Sequence, residues 1–260
     1  MASDNLIDGR AIADQIHEET RRHVEALKAH GTPPGLVFIR VGEDPASRVY
    51  VGMKEKACDR LGIQSQTRIL PEDTTEKDLL KLIDELNADP TLHGILVQAP
   101  LPPQINEANI FAAVSANKDV DGFHAYNIGR LALRRPTLRS CTPMGVMQML
   151  DHINTDYKGL HATIIGASNH VGRPMGLELL LAGVTVTTAH KFTKDTGDMA
   201  RQADILISAV GRPGLVPGNW VKEGATVIDV GITRGDNNKL YGDVDFEAAK
   251  QRAAWITPVP

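Results

Sequence analysis

Between Glu43 and Ile63 the chain sets a phenol, an amine and a thiol in one row: Tyr50, Lys54 and Cys58, spaced four apart. On a helix that spacing stacks them on one face, with Ser47 three before Tyr50 on the same side. A lysine carries protons near neutral pH when burial or a neighbouring charge pulls its pKa down. An aromatic neighbour adds a dry wall and a stacking surface for a planar substrate. The same spacing also describes a solvated helix, with Lys54 as an ordinary surface cation and Tyr50 half-buried.

Further candidates lie at strand ends and turns. Gln98 closes the apolar run His93-Gly-Ile-Leu-Val-Gln98 and precedes Ala-Pro-Leu-Pro-Pro, which forces an extended exit. Asp119 and Asp121, in Lys118-Asp-Val-Asp-Gly-Phe123, are either turn formers or carboxylates aimed into a cleft. Gly166-Ala-Ser-Asn-His-Val-Gly-Arg-Pro-Met-Gly176 follows a predicted strand and opens a helix. In that context free backbone N–H groups at the helix start can hold a phosphate, with Gly172 and Gly176 admitting close backbone approach. The spacing is not Gly-x-Gly-x-x-Gly, and a purely structural turn fits it too. The next strand ends Ala189-His-Lys-Phe-Thr-Lys194, with no acid to hold a ribose 2′-hydroxyl. Lys191, with Arg173 nearby, would instead attract a 2′-phosphate, which favours NADP over NAD; a solvated loop is the plainer reading of Lys191 and Lys194. Asp229-Val-Gly-Ile232 ends a later strand and could lie over a nicotinamide, its glycine admitting the ring. The nine histidines lack metal-ligand spacing, so no metal is expected.

The elements that must position these residues alternate. Helices are expected at 8–30, 45–61, from a capping box at Asp73-Thr-Thr-Glu76, and from Thr142 as N-cap with Pro143 first. Asp44 and Pro45 mark the start of the Tyr50/Lys54 helix and Gly62 its stop. Strands are expected at 36–41, 63–70, 93–98, 161–165, 184–188, 205–210 and 226–231. Such alternation gives an α/β protein of βαβ units with mostly parallel sheets. We expect two domains flanking a cleft, 1–121 and 122–260, the second a Rossmann-like doubly wound sheet.

The 260 residues are 42% hydrophobic, enough for a sizeable core. A net charge of -4 argues against a nucleic-acid binder. Two cysteines make no disulfide framework. The opening residues Met1 to Gly9 lack a signal pattern, and no apolar run spans a membrane. A cytoplasmic protein is expected, with no membrane association.

Taken together these segments closely resemble the bifunctional methylenetetrahydrofolate dehydrogenase/cyclohydrolase family. The resemblance covers the whole chain: Asp44-Pro-Ala-Ser through Lys54-x-Lys-Ala-Cys58, Val97-Gln-Ala-Pro-Leu-Pro102, Lys118 to Phe123, Cys141-Thr-Pro143, Gly166 to Pro174, Asp229-Val-Gly-Ile232, Gly242-Asp-Val-Asp-Phe246 and Ile256-Thr-Pro-Val-Pro260. It implies NADP-dependent oxidation of 5,10-methylenetetrahydrofolate to the methenyl compound, then hydrolysis to 10-formyltetrahydrofolate. It also implies roles. Tyr50 would stack on the folate aminobenzoyl ring, with Ser47 beside it. Lys54 would be the general acid/base held by Gln98, and Asp121 would grip the pterin. Gly166, Ala167, Ser168 and Ile232 would contact NADP, alongside Arg173 and Lys191. A homodimer through the nucleotide domain is implied as well. Departures from the family pattern are Ala99, Ser140, Gly176 and Lys191. The family continues past the position of Pro260 with a Gly-Gly-Val-Gly-Pro-Met-Thr loop and a closing helix, so either a longer chain or a shorter folate wall is expected.

Rival readings are a short-chain dehydrogenase, a shikimate- or amino-acid-dehydrogenase-like enzyme, and a folate- or nucleotide-binding remnant without turnover. The first is opposed by order, since its nucleotide turn precedes the tyrosine, whereas Gly166 follows Tyr50.

Overall fold

The computed structural model describes residues 5–235 and 239–259. Met1 to Asp4 and the final Pro260, which belong to the opening and closing motifs above, lie outside the described residues. The chain forms two compact units, one of residues 13–139 and the other of residues 140–259 together with 5–12.

In the first unit a parallel sheet has the order β2-β1-β3, from β1 (Gly35–Val41), β2 (Gln64–Leu70) and β3 (Gly94–Val97). The two-residue period of β1 divides its side chains. Val37, Ile39 and Val41 pack with Leu79, Ile83 and Leu86 of α3 (Glu76–Ala88) and Ile110 of α4 (Glu107–Ala113). Phe38 packs on the opposite face with Leu96 and with Val51 and Cys58 of α2 (Pro45–Leu61). The ends of α2 are as expected. Asp44 accepts the Ser47 N–H at 2.7 Å, Pro45 is first, and Gly62 closes the helix at φ 75°. α3 starts differently, with Thr75 as N-cap accepting the Asp78 N–H. Glu76, expected to close a capping box from Asp73, reaches instead to the Asn106 N–H at 2.6 Å, before α4.

The first unit extends past the expected boundary at 121/122, to residue 139, and includes α5 (Ala125–Ala132). Asn127, buried, donates from Nδ2 to the Ala116 carbonyl and the Asp119 carboxylate, both at 2.9 Å.

In the second unit the parallel order is β10-β7-β6-β4-β5, built from β4 (His161–Ile165), β5 (Thr185–Ala189), β6 (Ile205–Ser208), β7 (Thr226–Asp229) and β10 (Trp255–Ile256). Ile164, Ile205, Ile207 and Ile228 face α6 (Cys141–His152) and α7 (Gly172–Ala182). Ile165, Leu206, Val227 and Ile256 face the other way, with Ala200 of α8 (Thr196–Arg201) and Ala249 of α9 (Phe246–Lys250). This is the expected doubly wound sheet. α6 starts at Cys141 with Ser140 as N-cap, two residues before the expected Thr142 cap. Residues 5–12 complete this unit: the Ile7 N–H donates to the Ile256 carbonyl at 2.9 Å, and Ile7 and Ile12 enter the α6/α7 core. Among the described residues no helix is long and apolar enough to cross a membrane.

Replacing Asn127 by Ala removes the side-chain donor to the Ala116 carbonyl and one of the three donors to the Asp119 carboxyl. We expect urea unfolding to report a loss of about 1–3 kcal/mol, with α5 becoming the first segment to exchange its amide hydrogens.

Candidate active site

Each unit gathers its candidate residues at the C-terminal ends of its parallel strands. In the first unit, Gln98 follows β3 directly. The alternation that turns Leu96 toward α2 turns Gln98 the same way. The Lys54 ammonium donates to Gln98 Oε1 at 3.2 Å. Gln98 is itself fixed, since its Nε2 donates to the Ala99 carbonyl at 2.7 Å. Ser47 Oγ donates to that same carbonyl at 3.3 Å. The row Tyr50, Lys54, Cys58 runs from surface to core. Tyr50 is 44% exposed, Lys54 half-buried, and Cys58 buried among Phe38, Val51 and Leu96, where burial pushes its thiol pKa up. Cys58 therefore belongs to the packing under α2.

The two aspartates of the Asp-x-Asp-Gly turn separate into the two roles left open by the sequence. Asp119 pairs in parallel with Ile95 of β3 and accepts hydrogen bonds from the Phe123 and His124 N–H groups and from Asn127. It is the turn former. That pairing carries Asp121 two residues further along the edge of β3, toward Gln98. Burial pushes the Asp121 carboxyl up to about 6; the Lys54 charge opposes this and the Asp119 charge reinforces it. Ser47, Tyr50, Lys54, Gln98 and Asp121 thus share one unit, with an amine, an amide and a high-pKa carboxyl at one strand end.

In the second unit the strand order reverses between β4 and β6, which is where ligands settle in such sheets. A cavity of about 590 Å³ opens there, lined by Gly166, Ala167 and Ser168 after β4, His190 and Lys191 after β5, and Val210 and Arg212 after β6. Leu215 and Trp220 supply its apolar wall. The glycine turn is closely packed. A methyl at Gly166 would stand 2.6 Å from the Ala209 carbonyl oxygen, and one at Gly172 would stand 2.0 Å from the Gly166 oxygen. Gly176 differs from expectation, because a methyl there would meet ordinary contacts at 3.7 Å. The start of α7 also differs. The Val171 and Gly172 N–H groups are taken by Ser168 Oγ, at 3.1 and 3.4 Å, so they do not point free at a phosphate.

The cavity suits a phosphorylated dinucleotide in charge. No carboxylate lines it, and Lys191 and Arg212 bring two cations. Lys191 Nζ sits over the Phe192 ring, 4.9 Å from its centroid. Arg173 is placed apart from the lining, with Nε donating to the Ala167 carbonyl at 3.2 Å. Ile232 is half-exposed and also outside the lining. The space at Gly231, expected to admit a nicotinamide ring, is taken by the Asp243 carboxyl: a methyl there would meet it at 2.2 Å. Sequence reasoning missed Arg212, Leu215 and Trp220, because the neighbourhood of β4 and β6 is a fact of strand order. Among the described residues no group of three or more His, Cys, Asp or Glu is placed to hold a metal ion.

Comparison with known proteins agrees with both halves. Residues 7–121 match the family model described as tetrahydrofolate dehydrogenase/cyclohydrolase, catalytic domain. Residues 140–260 match tetrahydrofolate dehydrogenase/cyclohydrolase, NAD(P)-binding domain. Among solved structures, the bifunctional methylenetetrahydrofolate dehydrogenase/cyclohydrolase FolD of Campylobacter jejuni is 46% identical over 98% of this chain and 91% of that chain, with a TM-score of 0.96. The Trypanosoma brucei methylenetetrahydrofolate dehydrogenase-cyclohydrolase, solved with NADP and an inhibitor, is 37% identical over 98% and 90%, with a TM-score of 0.93. The bifunctional enzyme of Thermoplasma acidophilum is 36% identical over 98% and 90%, with a TM-score of 0.91.

The raised carboxyl has a stability signature. Asp121 titrates above its ordinary 3.8 in the folded state, so its contribution is complete below that value and is lost as the pH rises through about 6. Asp121→Asn removes the loss. Its stability relative to wild type is expected to be about 2–3 kcal/mol more favourable at pH 8 than at pH 4, read from denaturant melts.

Proposed function

This chain belongs to the tetrahydrofolate dehydrogenase/cyclohydrolase family, and we propose from that premise how its own residues divide the work. The activity is oxidation of 5,10-methylenetetrahydrofolate to 5,10-methenyltetrahydrofolate with NADP+, followed by hydrolysis to 10-formyltetrahydrofolate. The observation that carries the assignment is the Lys54–Gln98 hydrogen bond at the end of β3.

When bound, NADP+ supplies the hydride acceptor for the first step. Lys191 and Arg212 neutralise its phosphates, and Gly166, Ala167 and Ser168 give it a close-fitting backbone turn. Arg173 and Ile232 border this region and complete the proposed contacts. In the first unit, the exposed Tyr50 ring receives the aminobenzoyl group by stacking, beside Ser47. Asp121 holds the pterin through its polar edge. Oxidation needs chiefly this positioning, since a hydride leaves the reacting carbon and no proton must move there.

Hydrolysis makes a different demand. Water attacks the methenyl carbon and loses one proton; as the C–N bond breaks, the ring nitrogen gains a proton and the new carbonyl sheds the other to solvent. One amine can accept the first proton and deliver the second, provided it is held near the carbon. Gln98 does the holding: its Oε1 accepts from Lys54, and its Nε2 is anchored on the Ala99 carbonyl. We assign the enzyme to the cytoplasm as a homodimer through the second unit, where β5 is an edge strand and Leu180 of α7 is 54% exposed.

With both substrates present, the methenyl chromophore should grow in NADP+ and much more slowly in equimolar NAD+. Lys54→Met should lower methenyl hydrolysis at least about a hundredfold while dehydrogenase turnover falls far less, as loss of a general acid/base predicts. Hydrolysis at the wild-type rate would remove Lys54 from its role.

A further inference from the structure

Gly242-Asp-Val-Asp-Phe246 is a motif that the reaction as described leaves unused. Asp243 is fully buried and has no cation beside it among its hydrogen-bond partners. Its Oδ2 accepts from Ser208 Oγ and from the Val210 N–H, both at 2.8 Å, and its Oδ1 accepts from the Arg212 N–H at 2.6 Å. β6 ends at Ser208, so Val210 and Arg212 lie beyond the sheet ladder, in a loop that turns at Gly211 with φ 73°. Their side chains are exposed, yet their backbone is gripped from the interior. Val210 and Arg212 both line the dinucleotide cavity.

Asp243 is itself held. Asp229, at the end of β7, accepts the Asp243 N–H at 3.1 Å, the Val244 N–H at 2.9 Å and the Gly231 N–H at 3.0 Å. Two glycines make room for the pair. A methyl at Gly231 would meet the Asp243 carboxyl at 2.2 Å, and one at Gly242 would meet Asp229 Oδ2 at 2.0 Å. A buried carboxylate satisfied by N–H and O–H donors alone is costly to disturb, and its donors cannot turn elsewhere.

We propose that Asp243 is a positioning residue for the dinucleotide, fixing the Val210–Arg212 wall so that the Arg212 cation faces the cavity. The proposal rests on the nucleotide reading of that cavity. Asp243→Asn places an amide N–H₂ against either the Val210 or the Arg212 N–H, whichever way it turns. It should raise KM for NADP+ about tenfold, the scale of one charge-assisted hydrogen bond, with kcat changed less. KM for methylenetetrahydrofolate, and methenyl hydrolysis assayed without nucleotide, should stay within about twofold of wild type, which a general loss of folding would not allow. Ser208→Ala, which removes one donor and leaves the Val210 and Arg212 N–H groups on the carboxyl, should raise KM for NADP+ by a smaller factor, and it decides the matter if the first variant does not fold. An unchanged KM for NADP+ in the folded variants, or an equal fall in both activities, overturns the proposal. Wild-type enzyme with no NADP+-dependent turnover would remove the nucleotide reading and the proposal with it.

Discussion

Parallel strand pairing is the constraint on which both sites depend. A parallel ladder aligns every strand end at one edge, and the backbone must leave the sheet there through turns that the ladder no longer satisfies. Side chains and turn amides then gather where few hydrogen bonds are already committed. In the first unit that edge brings Gln98, Asp119 and Asp121 together from segments far apart in sequence. In the second it brings Gly166, Lys191 and Arg212 together from the ends of three strands. The hydrophobic alternation that builds each sheet is therefore also what aims the polar residue at its end.

Four buried or partly buried aspartates show how differently one group can be used. Asp119 and Asp243 each collect three donors and act as knots in the backbone. Asp229 collects three N–H groups as well, although burial still pushes its carboxyl up. Asp121 has only the nearby Lys54 charge to offset its burial, and its carboxyl rises to about 6. A carboxyl left short of partners in the folded protein carries a cost that protonation or a ligand's donors can remove.

Most of the fold was legible because its signals are local. Asp44-Pro45 and Gly62 fix both ends of α2, and the two-residue alternation of β1 and the second unit's strands marks both faces of each sheet. The row from Ser47 to Lys54 followed from helix geometry once those ends were known. Long-range pairing was not legible. Nothing near Asn127 announces that it ties α5 back to Asp119. Nor does the sequence around Arg212 say that β6 lies beside β4. Gly231 was misread for a similar reason: its missing side chain makes room for the carboxyl of Asp243, twelve positions further along the chain.

Residues 5–12 bear on how the molecule is made. Ile7 is 2% exposed, and its N–H is satisfied by Ile256, close to the other end of the chain. During vectorial synthesis Ile7 must wait for Ile256, which is made 249 positions later. The unit of residues 13–139 can close meanwhile, since its own partners have already emerged. The nascent chain thus carries this apolar segment unburied until β10 is made, and that strand is the step that shelters it.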